Sequence, residues 1–175
     1  MVILIFFLLT STYAQNLEFI YEGTRNCEDF DGKVHLENIA LDQIDKNVMA
    51  LSGDLALGVE VPEDGYVKVI IKKCPSKAER GLCEQLPPRV VEKLCEKIQK
   101  ENSDWSKFVD RLEEFKPACP IAPGKYHFED YTVNMDSLTN MPVMQGYWII
   151  NAIGFVGGEK VMCVFTEGEF KSASK

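Results

Sequence analysis

The sequence predicts a mainly β fold, a two-sheet β-sandwich or β-cup, with one helical excursion at about residues 88–115. Three observations carry that expectation. Between Met49 and Val61 the large apolar residues fall on odd positions. From Val91 to Leu112 they recur at helical spacing. After Tyr126 the period returns to two, and the last two strand-like runs meet at Gly157-Gly158, a hairpin turn.

In chain order, Val2 to Leu9 are eight uninterrupted apolar residues, followed by Thr10-Ser11-Thr12-Tyr13-Ala14. That matches a secretory h-region and falls short of the roughly 20 residues of a membrane span. Residues 1–14 are read as a signal peptide cleaved before Gln15, although the n-region has no Lys or Arg. Residues 15–175 then form a single domain, large enough to bury a core. No later stretch is long and apolar enough to span a bilayer. The expected destination is secretion, with an endolysosomal lumen as the second choice.

Nineteen basic against 27 acidic residues give a formal charge of −8, which argues against nucleic acid as a partner. Six cysteines, Cys27, Cys74, Cys83, Cys95, Cys119 and Cys163, lie behind the leader. An even count there implies three disulfides, with 15 possible pairings for six cysteines. Zinc is disfavoured: there is no C-x2-C spacing, and the two histidines, His35 and His127, are remote from any cysteine pair.

Strand patterning begins at Val34–Ile39 and is clearest over Met49–Val61, with a bend or bulge expected near Gly53 or Gly58. Pro62-Glu63-Asp64-Gly65 reads as a turn, making Val67, Val69 and Ile71 a hairpin partner for that strand. Val91, Leu94, Cys95 and Ile98, then Trp105, Phe108, Val109 and Leu112, form a helical stripe in one phase. Asn102-Ser103-Asp104 could cap a second helix, so one long helix and two short ones both fit. Tyr126, Phe128, Thr132 and Asn134 alternate with His127, Tyr131, Val133 and Met135 in a mixed strand, and Gly146–Phe155 with Val161–Phe165 close the domain, for about six strands.

Catalytic signatures are absent: the sequence has no G-x-S-x-G, H-E-x-x-H, Walker or dinucleotide motif. His127 lies between Tyr126 and Phe128 and reads as a structural or surface histidine, while Glu113-Glu114 reads as a solvated helix face. No enzyme activity, metal or cofactor is expected. What remains is apolar surface. Leu138–Gln145 has core-like apolarity but the Pro and Asn of a loop. With Met135, Met141, Met144, Tyr147 and Trp148 it could line the mouth of a cavity, since methionines suit varied apolar shapes. Leu55, Leu57, Val69, Ile71 and Phe128 are candidates for the wall. A filled core would have the same binary pattern.

At Cys119-Pro120-Ile121-Ala122-Pro123-Gly124-Lys125-Tyr126 the pattern C-P-x-x-x-G-x-Y resembles the corresponding motif of the ganglioside activator and its insect relatives, in the lipid-recognition (ML) type of secreted β-cup. The likeness extends from Asn26-Cys27 through Met141-Pro142 and Gly146-Tyr147-Trp148 to Gly158-Glu159-Lys160 and Cys163. Two departures, a missing additional disulfide before the C-P motif and no residue between Gly146 and Tyr147, resemble the insect chemosensory and secreted members. The resemblance implies an immunoglobulin-like cup and the pairs Cys27–Cys163, Cys74–Cys83 and Cys95–Cys119. It also implies a non-enzymatic, monomeric carrier of a lipid or other long-chain apolar ligand, in a chemosensory or lipid-transfer role, with a membrane surface or a receptor as contacts. The alternative is a secreted, disulfide-stabilised protein-binding module, a co-receptor or effector, with a filled core.

Overall fold

The computed structural model describes residues 17–101, 104–136 and 142–173, leaving out the side chains of Asp104, Trp105 and Pro142. Residues 1–14, where a signal peptide is expected, and Met141 lie outside the described residues. The chain is mainly β. Among the described residues the strands are β1 (Leu17–Asn26), β2 (Val34–Asp45), β3 (Val48–Leu57), β4 (Tyr66–Cys74), β5 (Glu84–Gln85), β6 (Arg89–Val91), β7 (Gly124–Asn134), β8 (Gly146–Val156) and β9 (Glu159–Ser172). Two six-residue helices, α1 (Leu94–Gln99) and α2 (Asp104–Val109), lie between β6 and β7.

The hydrogen-bonded order is β5-β4-β8-β9-β2-β3-β7, with β1 also on β9 and β6 also on β4. Among the described residues a single parallel pair, Val34 with Met162, joins β2 to β9. Either side of that joint the pairing is antiparallel, giving one leaf of β4, β8, β9 and β1 and a second leaf of β2, β3 and β7. The two leaves face each other as a β-sandwich.

The final hairpin forms as expected: Val156 pairs with Glu159 across Gly157 and Gly158, whose φ values of 57° and 80° suit glycine in a two-residue turn. The irregularity expected near Gly53 sits in both neighbours of β3. β2 inserts a residue around Asn38 and β7 inserts one around Asp130, both residues having positive φ. Gly53 is required between them, because a Cβ there would come within 2.6 Å of Ile39 and 3.3 Å of Phe128. The β7 bulge also regroups that strand. Tyr126 and Phe128 share the inner face with Tyr131 and Val133, paired with Leu51 and Met49, where strict alternation had separated them.

Two other expectations are corrected. The run Val67-Val69-Ile71 does not form a hairpin with the Met49–Val61 strand; β4 pairs with β8 in the opposite leaf. After Leu57 the chain leaves its leaf: Gly58 N donates to Lys33 O, Val61 pairs with Ile121, and the Pro62–Gly65 turn carries the chain across. The helical excursion is two short helices, and its first residues, Arg89–Val91, are a strand on β4. Pro87-Pro88 followed by the β-branched pair Val90-Val91 favours extended backbone there.

The disulfides are Cys27–Cys163, Cys74–Cys83 and Cys95–Cys119, the three pairs the resemblance implied. They mark a protein of an oxidising compartment. Cys27–Cys163 ties the end of β1 to β9, and Cys95–Cys119 holds α1 to the segment leading into β7. Cys74–Cys83 closes a loop whose Arg80 donates to Tyr147 Oη at 2.6 Å and to Glu167 at 2.7 Å, packing that loop on the outside of the first leaf.

Candidate functional site: an apolar cavity between the leaves

Between the two leaves lies a cavity of about 390 Å³. The first leaf contributes Val67 and Val69 of β4, Ala152 and Gly154 of β8, and Met162 and Val164 of β9. These are directly paired, Val67–Gly154–Met162 and Val69–Ala152–Val164, so they form two successive rows on one face. The second leaf supplies Val34, Leu36, Leu55 and Leu57. Leu94 and Ile98 of α1, Phe108 and Val109 of α2, and Leu112 and Phe115 close the side. Val61, Ile121 and Val161, none more than 9% exposed, close one end.

The hollow has a local cause. Ala152 and Gly154 put small residues where a strand rich in Ile and Phe would otherwise fill the space, and a Cβ on Gly154 would already come within 3.0 Å of Met162 Cβ. The helical segment forms a wall because its stripe of Leu94, Ile98, Phe108, Val109 and Leu112 turns toward the interior, where Phe108 also packs edge-on against Phe128 and Tyr131. Among the described residues every lining side chain is apolar except for the hydroxyl of Tyr66, and none is charged.

Of the residues expected in the wall, Leu55, Leu57 and Val69 line the cavity. Phe128 is only 1% exposed and lies in the core, its ring edge-on to Phe108 at 5.3 Å. Ile71 faces the same side as Val69, one row further along. The expected mouth divides. Trp148 is on the inner face and donates from Nε1 to Met144 O at 2.7 Å. Tyr147 faces the other way, fully buried beneath Arg80, its hydroxyl pushed up to about 12 by burial and by Glu167 against the opposing Arg80 charge. Met135 stands at the end of β7, its amide donating to Asn47 O at 2.8 Å. Among the lining residues that sequence reasoning missed, Ala152 and Gly154 carry one readable signal, small side chains at alternate positions of an otherwise bulky apolar strand, whereas Met162 and Val164 are placed only by their pairing with them.

The principal ionic cluster of the second leaf is on its outer face, separated from the cavity by β3 itself. Asp54, with a side chain 11% exposed, accepts from Asn38 Nδ2 at 2.6 Å and from His127 Nδ1 at 2.9 Å, and Lys125 Nζ lies 3.3 Å away. Hydrogen bonds from Asn38 and His127 outweigh burial and hold the Asp54 carboxyl at about 2. The Asp54 hydrogen bond and charge raise His127 against its own burial. Among the described residues no group of three or more His, Cys, Asp or Glu side chains is placed to hold a metal ion.

These shifts have opposite signs in their pH dependence. The depressed Asp54 pKa contributes stability that is present above the ordinary carboxylate range and is lost as pH falls toward about 2. The raised His127 pKa contributes stability that is complete below about 6.5 and is lost as pH rises through its higher folded value. The urea midpoint of the protein is therefore expected to decline from pH 6 to pH 8. His127→Gln should flatten that decline, and an unchanged slope in the variant would show that the pair does not carry it.

Compared with protein-family models and with curated proteins, the chain matches none.

Proposed function

We propose that this protein is a secreted, non-enzymatic carrier of the lipid-recognition type that shields a long hydrocarbon chain between its two β leaves. The cavity carries the reading. An open apolar cleft of about 390 Å³ whose described lining offers water no polar partner besides the Tyr66 hydroxyl favours an apolar occupant over a filled-core binding module. A cavity of about 150 Å³ holds the six carbons of benzene, so this one has room for roughly 15 carbons in a single chain. Each buried methylene is worth about 0.8 kcal/mol before ordering costs.

The agreement of all three disulfides with the pairing implied by the resemblance supports the same class, and the disulfides together with the apolar leader segment support export. Mass spectrometry of solvent extracts from the secreted protein is expected to find a single-chain lipid. In uptake assays the delipidated protein should take up a fluorescent fatty acid. Failure of both would overturn the carrier reading.

A further inference from the structure

The cavity is sealed at one end by Val61, Ile121 and Val161, so its entrance lies elsewhere. Strand register locates it. The inner-face rows run Val67–Gly154–Met162, then Val69–Ala152–Val164, and the next is Ile71–Ile150–Thr166. Leu86 extends that third row, its amide donating to Ile71 O at 2.9 Å. Successive rows on one face are about 6.6 Å apart. Among the described residues the second leaf does not cover this third row: Ile150 is 37% exposed and Leu86 38% exposed. An apolar shelf thus continues out of the cavity into solvent.

Two cations bracket the shelf. Arg89 is paired with Val69 and alternates with the cavity-lining Val91, which places it on the inner-face side of edge strand β6. Lys73 is on the far side, one row beyond Ile71. Its stem lies against Gly146, its Nζ is 5.5 Å from the Trp148 ring centroid, and it donates to Val143 O at 2.6 Å. Neither cation makes an ion pair among the described residues, and Glu84, opposite Lys73 in the register, does not reach it. In a chain of formal charge −8, positive groups at both borders of the shelf give it a local sign opposite to that of the protein.

We propose that the ligand is a single-chain amphiphile with an anionic head. Its hydrocarbon enters over Leu86, Ile71 and Ile150, and its head stays at the mouth between Arg89 and Lys73. This rests on the carrier reading above and narrows it to one ligand class. Among the described residues no charged group inside the cavity can neutralise a head that enters it, so the head remains at the rim where water and both cations reach it.

The test compares hexadecanoate, hexadecanol and hexadecyltrimethylammonium as competitors of a neutral apolar dye on the full-length secreted protein, at pH 8 and low salt. Hexadecanoate should bind about tenfold more tightly than hexadecanol, the cationic chain should bind weakest, and added salt should narrow the gap. The double variant Lys73→Met/Arg89→Met should lose about tenfold for hexadecanoate and keep its affinity for hexadecanol, which also shows that it is folded. If that variant loses hexadecanol as well, Arg89→Met alone, at an exposed edge position, decides by the same ratio. Equal wild-type affinities for acid and alcohol, or variants that leave their ratio unchanged, would overturn the anionic-head assignment while leaving the carrier intact. Failure of all three chains to displace the dye from the wild type would overturn the carrier reading instead.

Discussion

Ala152→Phe is expected to abolish uptake of a long hydrocarbon while leaving the protein folded. Ala152 sits in the middle of the cavity wall, paired with Val69 on one side and Val164 on the other, and its Cβ looks into the hollow. A phenyl ring there occupies the passage between the exposed Ile71–Ile150 row and the closed end at Val61 and Ile121. Excluding about four methylenes at about 0.8 kcal/mol each lowers affinity by roughly 3 kcal/mol, more than 100-fold. Stability should respond differently. The ring fills existing space, so the ligand-free variant should melt at or above the wild-type temperature, whereas overpacking in a filled core would cost about 1–3 kcal/mol. Dye binding and thermal unfolding measured on the same preparation separate the two cases. Wild-type affinity in the variant would mean that the chain is not held here; a destabilised variant would mean that the core has no room.

The double substitution Cys27→Ser/Cys163→Ser should destabilise the protein more than loss of either other disulfide. Its cysteines are 136 residues apart, against 24 for Cys95–Cys119 and 9 for Cys74–Cys83. Loop-closure entropy then assigns about 5 kcal/mol to the first, roughly 3.5 to the second and about 2.6 to the third. A loss of about 5 kcal/mol lowers the melting temperature of a domain this size by roughly 10–20 °C. The structure supplies a second reason: Cys27 N donates to Cys163 O beside the single parallel pair that joins the two leaves. Losing this link loosens the seam of the sandwich. Circular dichroism melts of the three double variants test the order, and a larger fall on removing Cys74–Cys83 would refute it.

Strand β8, its turn and the start of β9 were legible because their signals are local: alternating bulky residues and two consecutive glycines. The irregularity at Gly53 was legible too, but its placement was not. The extra residues are in β2 and β7, and a sequence does not say which of three neighbouring strands absorbs a mismatch. β1 went unread because Leu17–Asn26 alternates only briefly; it is a strand through its pairing with β9 along nearly its whole length. Arg89–Val91 lay in the phase of the helical stripe, yet it is held extended by β4. At the cavity, Leu55, Leu57 and Val69 were found because they belong to clean alternations. Tyr147 was misplaced relative to Trp148 because neighbours on a strand face opposite sides, and composition does not say which side is inner.

Periodicity, turn residues and cysteine number suffice for a mainly β, disulfide-bonded domain with a helical interruption, since each reflects the conformation or chemistry of a few neighbouring residues. Which leaf β4 joins, where the rows of the two leaves stop overlapping, and whether their shared interior is full or hollow are set by contacts between residues far apart in the chain. A hollow is a volume left over by two surfaces. Ala152 and Gly154 make it possible, but only the spacing held by the opposite leaf and by the helical wall leaves it open.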